Sequence, residues 1–149
     1  MSSRHEWLRA CAIIASAVIT SVACAGEPYK SPAASGQPME QLGRIIVADK
    51  EPSLRPMVMG LLDEKGKEIR TNPLLSISAH TMILTPGTYT VALRCGDTTS
   101  WFELPTRVRV DAGKTYTLWC KRITTGLAAR VKFKEEPHAD WERAQASTQ

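Results

Sequence analysis

Three sets of side chains in this 149-residue sequence have types and spacing that could do chemistry: its cysteines, its histidines and its alternating cations. Tyr89, Val91, Leu93 and Cys95 alternate onto one strand face, and Tyr116, Leu118 and Cys120 do the same in a later segment. Both sulfurs therefore point toward a core. An even pair in an oxidising compartment predicts a disulfide, with two buried free thiols as the alternative. Closing a loop of about 26 residues, such a bond stabilises by roughly 3.5 kcal/mol in the chain-entropy picture.

The rest of the catalytic inventory is thin. His80 and His138 are the histidines beyond the N-terminal segment, and the chain has no HExxH, no CxxC and no Gly-x-Ser-x-Gly elbow. Neither a zinc site nor a serine hydrolase has its usual parts, so no metal, cofactor or enzymatic activity is expected. A couple between His80 and Cys95 competes with the disulfide and with the apolar face that Cys95 shares. Asp63 with Glu64, and Glu135 with Glu136, read as hairpin-tip and tail residues in water rather than as acid/base pairs.

The cations are the better lead. Residues 94–134 hold nine Lys and Arg against three Asp and Glu, and residues 135–149 reverse that balance. Arg107 and Arg109 alternate with Val108 and Val110, while Arg130, Lys132 and Lys134 alternate with Val131 and Phe133. Lys121, out of phase with Cys120, joins them. If the strands are neighbours, these six form a cationic stripe suited to phosphates or carboxylates of an envelope polymer. The alternative is a solvated face whose charges guard against edge pairing. Trp101 and Trp119 pose a parallel choice between packing and sugar stacking.

Chemistry of a different kind is written at the N-terminus. Arg4 and Arg9 precede an apolar run, Ala10 to Ala23, of about fourteen residues, short of the roughly twenty a membrane-spanning helix needs. Residues 1–23 thus read as an export signal. Two cleavage readings are open. In one, Ala23-Cys24-Ala25 directs cleavage before Gly26 and Cys24 is lost. In the other, Ser21-Val22-Ala23-Cys24 resembles a bacterial lipobox, with Ser where Leu is usual, and Cys24 becomes the lipid-bearing first residue. Residues 24–43 hold three prolines and three glycines without apolar periodicity and read as a flexible tether, which favours the lipidated form. Ala25, rather than Asp, after the cysteine resembles the arrangement sorted to the outer membrane.

These features need a scaffold, and residues 44–134 read as all-β. Short strands are expected at Arg44 to Ala48, Pro56 to Leu62, Glu68 to Ile69, Leu75 to Ser78, Thr81 to Leu84, Thr88 to Cys95, Trp101 to Leu104, Thr106 to Val110, Lys114 to Lys121 and Ala129 to Lys134. The turns are Asp63 to Lys67, a type II turn at Pro86-Gly87, Gly96-Asp97 and Asp111-Ala112-Gly113. The pattern predicts an antiparallel β-sandwich of seven or eight strands, then a polar tail at 135–149 with a short helix around Trp141.

Three stretches also carry a family resemblance: Gly60-Leu61-Leu62-Asp63-Glu64-Lys65-Gly66-Lys67, Leu84-Thr85-Pro86-Gly87-Thr88-Tyr89-Thr90-Val91 and Val110-Asp111-Ala112-Gly113-Lys114-Thr115-Tyr116. They resemble the PEGA and carboxypeptidase-regulatory type of bacterial surface domain. The resemblance implies a prealbumin-like sandwich that is generally non-catalytic. The expectation is a cell-envelope lipoprotein, held at a membrane by Cys24 and serving as a structural or protein-interaction module. The alternatives are a module binding an anionic envelope glycan, or a periplasmic inhibitor of a hostile enzyme; for location, the alternative to the membrane anchor is a soluble periplasmic or secreted protein. No nucleic-acid partner is expected, since none of the usual reading motifs is present.

Overall fold

The computed structural model describes residues 28–69, 80–123 and 129–148. The elements are β1 (Tyr29–Lys30), two 3-10 turns (Pro32–Ala34 and Met39–Gln41), β2 (Gly43–Val47), β3 (Arg55–Leu62), β4 (Thr81–Leu84), β5 (Gly87–Gly96), β6 (Trp101–Val110), β7 (Lys114–Arg122), β8 (Ala129–Pro137) and one helix, α1 (His138–Ala146). They form a β-sandwich. One sheet runs β1-β4-β2-β7-β8 and the other β3-β5-β6.

Alternation along each strand supplies the core. Ile45, Val47, Met82, Leu84, Tyr116 and Leu118 from the larger sheet meet Val58, Leu61, Tyr89, Val91, Leu93, Val108 and Val110 from the smaller one. Each buried aliphatic side chain contributes roughly 1.5–3 kcal/mol by leaving water. A second cluster joins Leu54 to Cys95 and Cys120, which are disulfide-bonded with Cα atoms 5.8 Å apart. That bond crosses from β5 to β7 and ties the two sheets together.

The sandwich has two distinct ends. At one, here called the disulfide end, lie the starts of β4, β6 and β8 and the ends of β2, β5 and β7. At the other, the helix end, lie the turn at 111–113 and α1. There β6 approaches β2 so closely that a Cβ on Gly43 would overlap Val110 Cγ1 and sit 2.9 Å from the Asp111 carbonyl oxygen. Gly113 adopts a left-handed φ of 71° at the turn, and Gly66 one of 77° in the 63–67 hairpin, conformations in which glycine is favoured.

Several expectations change. The sheets are not wholly antiparallel, because β1 pairs with β4 and β2 with β7 in parallel. The tether expected over 24–43 does not extend past residue 27. Tyr29 and Lys30 add a strand to the sheet, Ala34 and Leu42 are fully buried, and the Tyr29 hydroxyl donates to the Ile69 carbonyl at 2.9 Å. The two strands expected at 101–104 and 106–110 are one. Pro105 lies within β6, which an edge strand tolerates because its missing N–H faces no partner. Gly87 has no left-handed φ and is the first residue of β5, so Pro86-Gly87 is not a type II turn; the Tyr89 ring packs over Gly87 and its hydroxyl donates to the Thr85 carbonyl at 2.9 Å. The return strand at 68–69 is a single bridge between Leu62 and Glu68. The strand expected at Leu75 to Ser78, the signal and Cys24 lie outside the described residues.

Candidate functional site

The six expected cations are not one stripe. Arg107 and Arg109 sit on β6, the edge of the three-stranded sheet, whereas Arg130, Lys132 and Lys134 sit on β8, the edge of the other. Alternation fixes the phase of a side chain but not its strand's neighbour. The structure brings together Lys121 and Arg130, directly opposite each other on β7 and β8, with Lys132 opposite Trp119 one step further on.

Their charge environments differ as well. Arg107 pairs with Glu64 at 3.9 Å, Arg109 with Asp111 at 3.6 Å, and Lys134 with Glu136. Lys121, Arg130 and Lys132 have no carboxylate at ion-pair distance among the described residues. Three cations are thus locally neutralised and three are not. Trp119 faces outward from the sandwich core, and the Lys50 ammonium stands 4.0 Å from its ring centroid, so its open face is taken by a cation–π contact.

Phe133 departs from the alternation argument. It pairs with Leu118 in β7, in phase with the core, yet is 63% exposed. β8 is the edge of a five-stranded sheet facing one of three strands, so part of its inner face is uncovered.

At the disulfide end a cleft of about 700 Å³ opens between the sheets. Its walls come from the 49–53 loop, the start of β3 at Arg55, Pro56 and Met57, His80, the 96–98 turn and Trp101. Local sequence shapes this mouth. Asp97 Oδ1 accepts from the Thr99 N–H at 2.8 Å, the Thr99 hydroxyl at 2.8 Å and the Ser100 N–H at 2.9 Å, closing the β5–β6 turn. Gly96 lets Trp101 fold back, since a Cβ there would lie 2.5 Å from Trp101 Cδ2. The indole remains 44% exposed at the rim.

Arg122 locks the opposite wall. Its guanidinium reaches Asp97 Oδ2 and the Ser53 carbonyl, both at 3.3 Å, and its backbone N–H donates to Glu51 at 3.1 Å. Leu54 packs beside the disulfide just behind that loop. The cleft is therefore braced by a covalent bond and a charged clasp. The Asp97 carboxyl is held well below the usual carboxylate range, first by the Thr99 backbone N–H, then by the Thr99 hydroxyl, the Ser100 N–H and Arg122, against the opposing effect of burial. It is an anion at neutral pH, fitted to accept hydrogen bonds and not to shuttle protons.

The helix end uses its polar groups internally. His138 Nε2 lies 3.0 Å from the Leu42 carbonyl, an acceptor only, so that nitrogen carries the hydrogen; Nδ1, 2.7 Å from Thr115 Oγ1, then accepts from the hydroxyl in the neutral ring. Arg44 stacks 4.8 Å from the Trp141 centroid and pairs with Glu142 at 3.3 Å, fixing α1 over the sheet. Burial pushes the Tyr116 phenol up, and its oxygen accepts the Asp111 N–H at 3.1 Å. His138, one of two histidines the sequence offers for chemistry, is thus a structural clasp. His80 is exposed in the cleft, and Cys95 is committed to Cys120.

Among the described residues, no group of three or more His, Cys, Asp or Glu is arranged to hold a metal ion, and no helix is long and apolar enough to cross a membrane. No family model, curated protein or solved structure matches the chain.

The sequence reading missed the cleft. Ser53 and Asp97 line it from distant positions and are joined by Arg122 of β7, with no shared motif. The only local signal is Asp97-Thr98-Thr99-Ser100, whose acidic and hydroxyl residues favour a side-chain-capped turn.

Proposed function

We propose that the protein is a non-enzymatic binding module of the bacterial cell envelope, exported by residues 1–23 and held at a membrane by lipid on Cys24. The observation that carries the binding role is the braced cleft, with an exposed indole at its rim and polar groups that accept and donate hydrogen bonds. The Asp97 carboxylate is ionised at neutral pH, and His80, Ser53 and Arg55 line the same surface, a set of charged and polar groups suited to recognition. The resemblance of residues 60–67, 84–91 and 110–116 to PEGA-type surface domains supports the same reading. So does the small-residue lipobox pattern that ends at Cys24.

One experiment tests anchor and cleft together. The parent, Cys24→Ser and Trp101→Ala are expressed in a bacterial host, and the envelope is fractionated and used for affinity capture. Cys24→Ser should move from the membrane to the soluble fraction. Trp101→Ala should stay with the membrane and lose what the parent retains, whether protein or anionic glycan. A Cys24→Ser protein that remains membrane-bound with Gly26 at its N-terminus would overturn the lipidated form, and a Trp101→Ala protein with unchanged captures would overturn the cleft.

A further inference from the structure

We propose that the disulfide end of the sandwich lies against a membrane surface rich in anionic headgroups. The proposal rests on the reading that Cys24 carries lipid, and it adds which face of the domain the membrane meets.

β1 begins at Tyr29 and runs parallel to β4, which begins at Thr81, so the chain enters the fold at the disulfide end. Only residues 25–28 separate Cys24 from that strand, and at about 3.5 Å per residue the leash spans at most about 17 Å. A domain on so short a leash is held with its point of entry close to the bilayer.

Lys121, Arg130 and Lys132, none of them in an ion pair among the described residues, occupy the end of β7 and the start of β8, beside that same end. Arg55 opens β3 there, and Lys50 stands over Trp119. Of the acids at this end, Glu51 and Asp97 are engaged by Arg122 and Glu103 by Arg94, leaving Asp49. The helix end carries Glu135, Glu136, Asp140 and Glu142 instead. Unneutralised positive charge gathers at the disulfide end, on the β7–β8 edge across the sheet from β1, whereas the hairpin cations Lys65 and Lys67, also outside any ion pair among the described residues, adjoin Asp63 and Glu64.

Trp101 and Ile123, 44% and 39% exposed, are two of the four large hydrophobic side chains exposed among the described residues, and both lie at this end. Indole rings favour the headgroup level of a bilayer, where the ring body and the N–H find different surroundings.

The test uses the mature-length chain with Cys24→Ser, so that no lipid contributes. It is sedimented with vesicles of phosphatidylcholine alone and with vesicles containing phosphatidylglycerol, at low salt where screening extends to about 30 Å. Association is expected with the anionic vesicles only. Replacing Lys121, Arg130 and Lys132 by Gln should lower partitioning about a hundredfold, at roughly fivefold per cation near the surface. Replacing Arg107, Arg109 and Lys134 by Gln removes the same formal charge and should change it by less than about threefold, because those cations are already paired. Circular dichroism and an intact disulfide establish that both variants are folded. No preference for anionic vesicles, or equal losses from the two triple variants, would overturn the proposal. Since the assay contains no anchor, its failure leaves lipidation to the fractionation experiment, and failed lipidation leaves this result standing.

Discussion

The two ends of the sandwich are closed by different means, and the difference separates structure from surface. At the helix end several polar groups are used within the fold: His138 between Leu42 and Thr115, Tyr116 on the Asp111 amide, and Arg44 between Trp141 and Glu142, although Arg44 Nη1 is buried without a hydrogen-bond partner among the described residues. Packing is tight enough there that Gly43 has no room for a methyl group. At the disulfide end the closure is covalent. With Cys95 and Cys120 holding the sheets together, the loops need not fill the gap, and a cleft, an exposed indole and three unpaired cations are left facing outward. A buried unpaired charge is costly, whereas an exposed one is tolerated.

The largest effect expected is loss of the disulfide. Cys95→Ser with Cys120→Ser should lower unfolding free energy by roughly 3.5 kcal/mol, read from urea titration. The comparison adds a sharper expectation. Because Leu54 packs on the bridge and Arg122 ties the neighbouring loop to Asp97, Trp101 should become more accessible to acrylamide, while Trp141, clasped by Arg44, should not. Equal loosening of both tryptophans would mean the two ends are not independently closed.

At the other end Gly43→Ala should cost about 2 kcal/mol, the usual range for a methyl group forced into a packed core. Val110 has to give way, and the Asp111 carbonyl, which is backbone, moves less readily. The change should leave the disulfide-end cleft intact, as judged by unchanged Trp101 accessibility. A neutral substitution would show that β6 and β2 approach less closely than 2.9 Å contacts require.

How much of this was legible in the sequence follows the same division. Phase along a strand is local, so the burial of Tyr89, Val91, Leu93, Tyr116 and Leu118, and the meeting of Cys95 with Cys120, could be read from alternation. The turns at Gly66 and Gly113 were legible because a left-handed φ favours glycine. Neighbour relations were not. Nothing in Arg107 or Arg130 says that their strands belong to different sheets, and nothing in the proline-containing stretch before Arg44 says that two residues of it pair with Met82 and Ile83. Pro105 looked like a break because a proline interrupts a central strand; only the sheet order reveals that β6 is an edge. The cleft was hidden for the strongest reason, since its clasp joins Ser53, Asp97 and Arg122 across the whole domain.

The smallest effect concerns that clasp and appears only in acid. Asp97 titrates below the ordinary carboxylate range in the folded protein, chiefly through the Thr99 N–H and then through its hydroxyl, the Ser100 N–H and Arg122. A depressed folded value means the unfolded chain binds the proton more readily. The stabilisation is therefore fully present above the unfolded carboxyl value of about 4 and is lost as pH falls from there toward the folded value. Asp97→Asn keeps an oxygen for Thr99 and Ser100 but removes the charge facing Arg122. The variant should be slightly less stable than the parent at pH 7 and should lose less on acidification from about pH 5 to 2, so the two thermal-stability curves converge. If the Asn variant keeps the parent's full acid sensitivity, the turn at 97–100 does not hold its carboxylate as described, and the cleft loses its fixed anion.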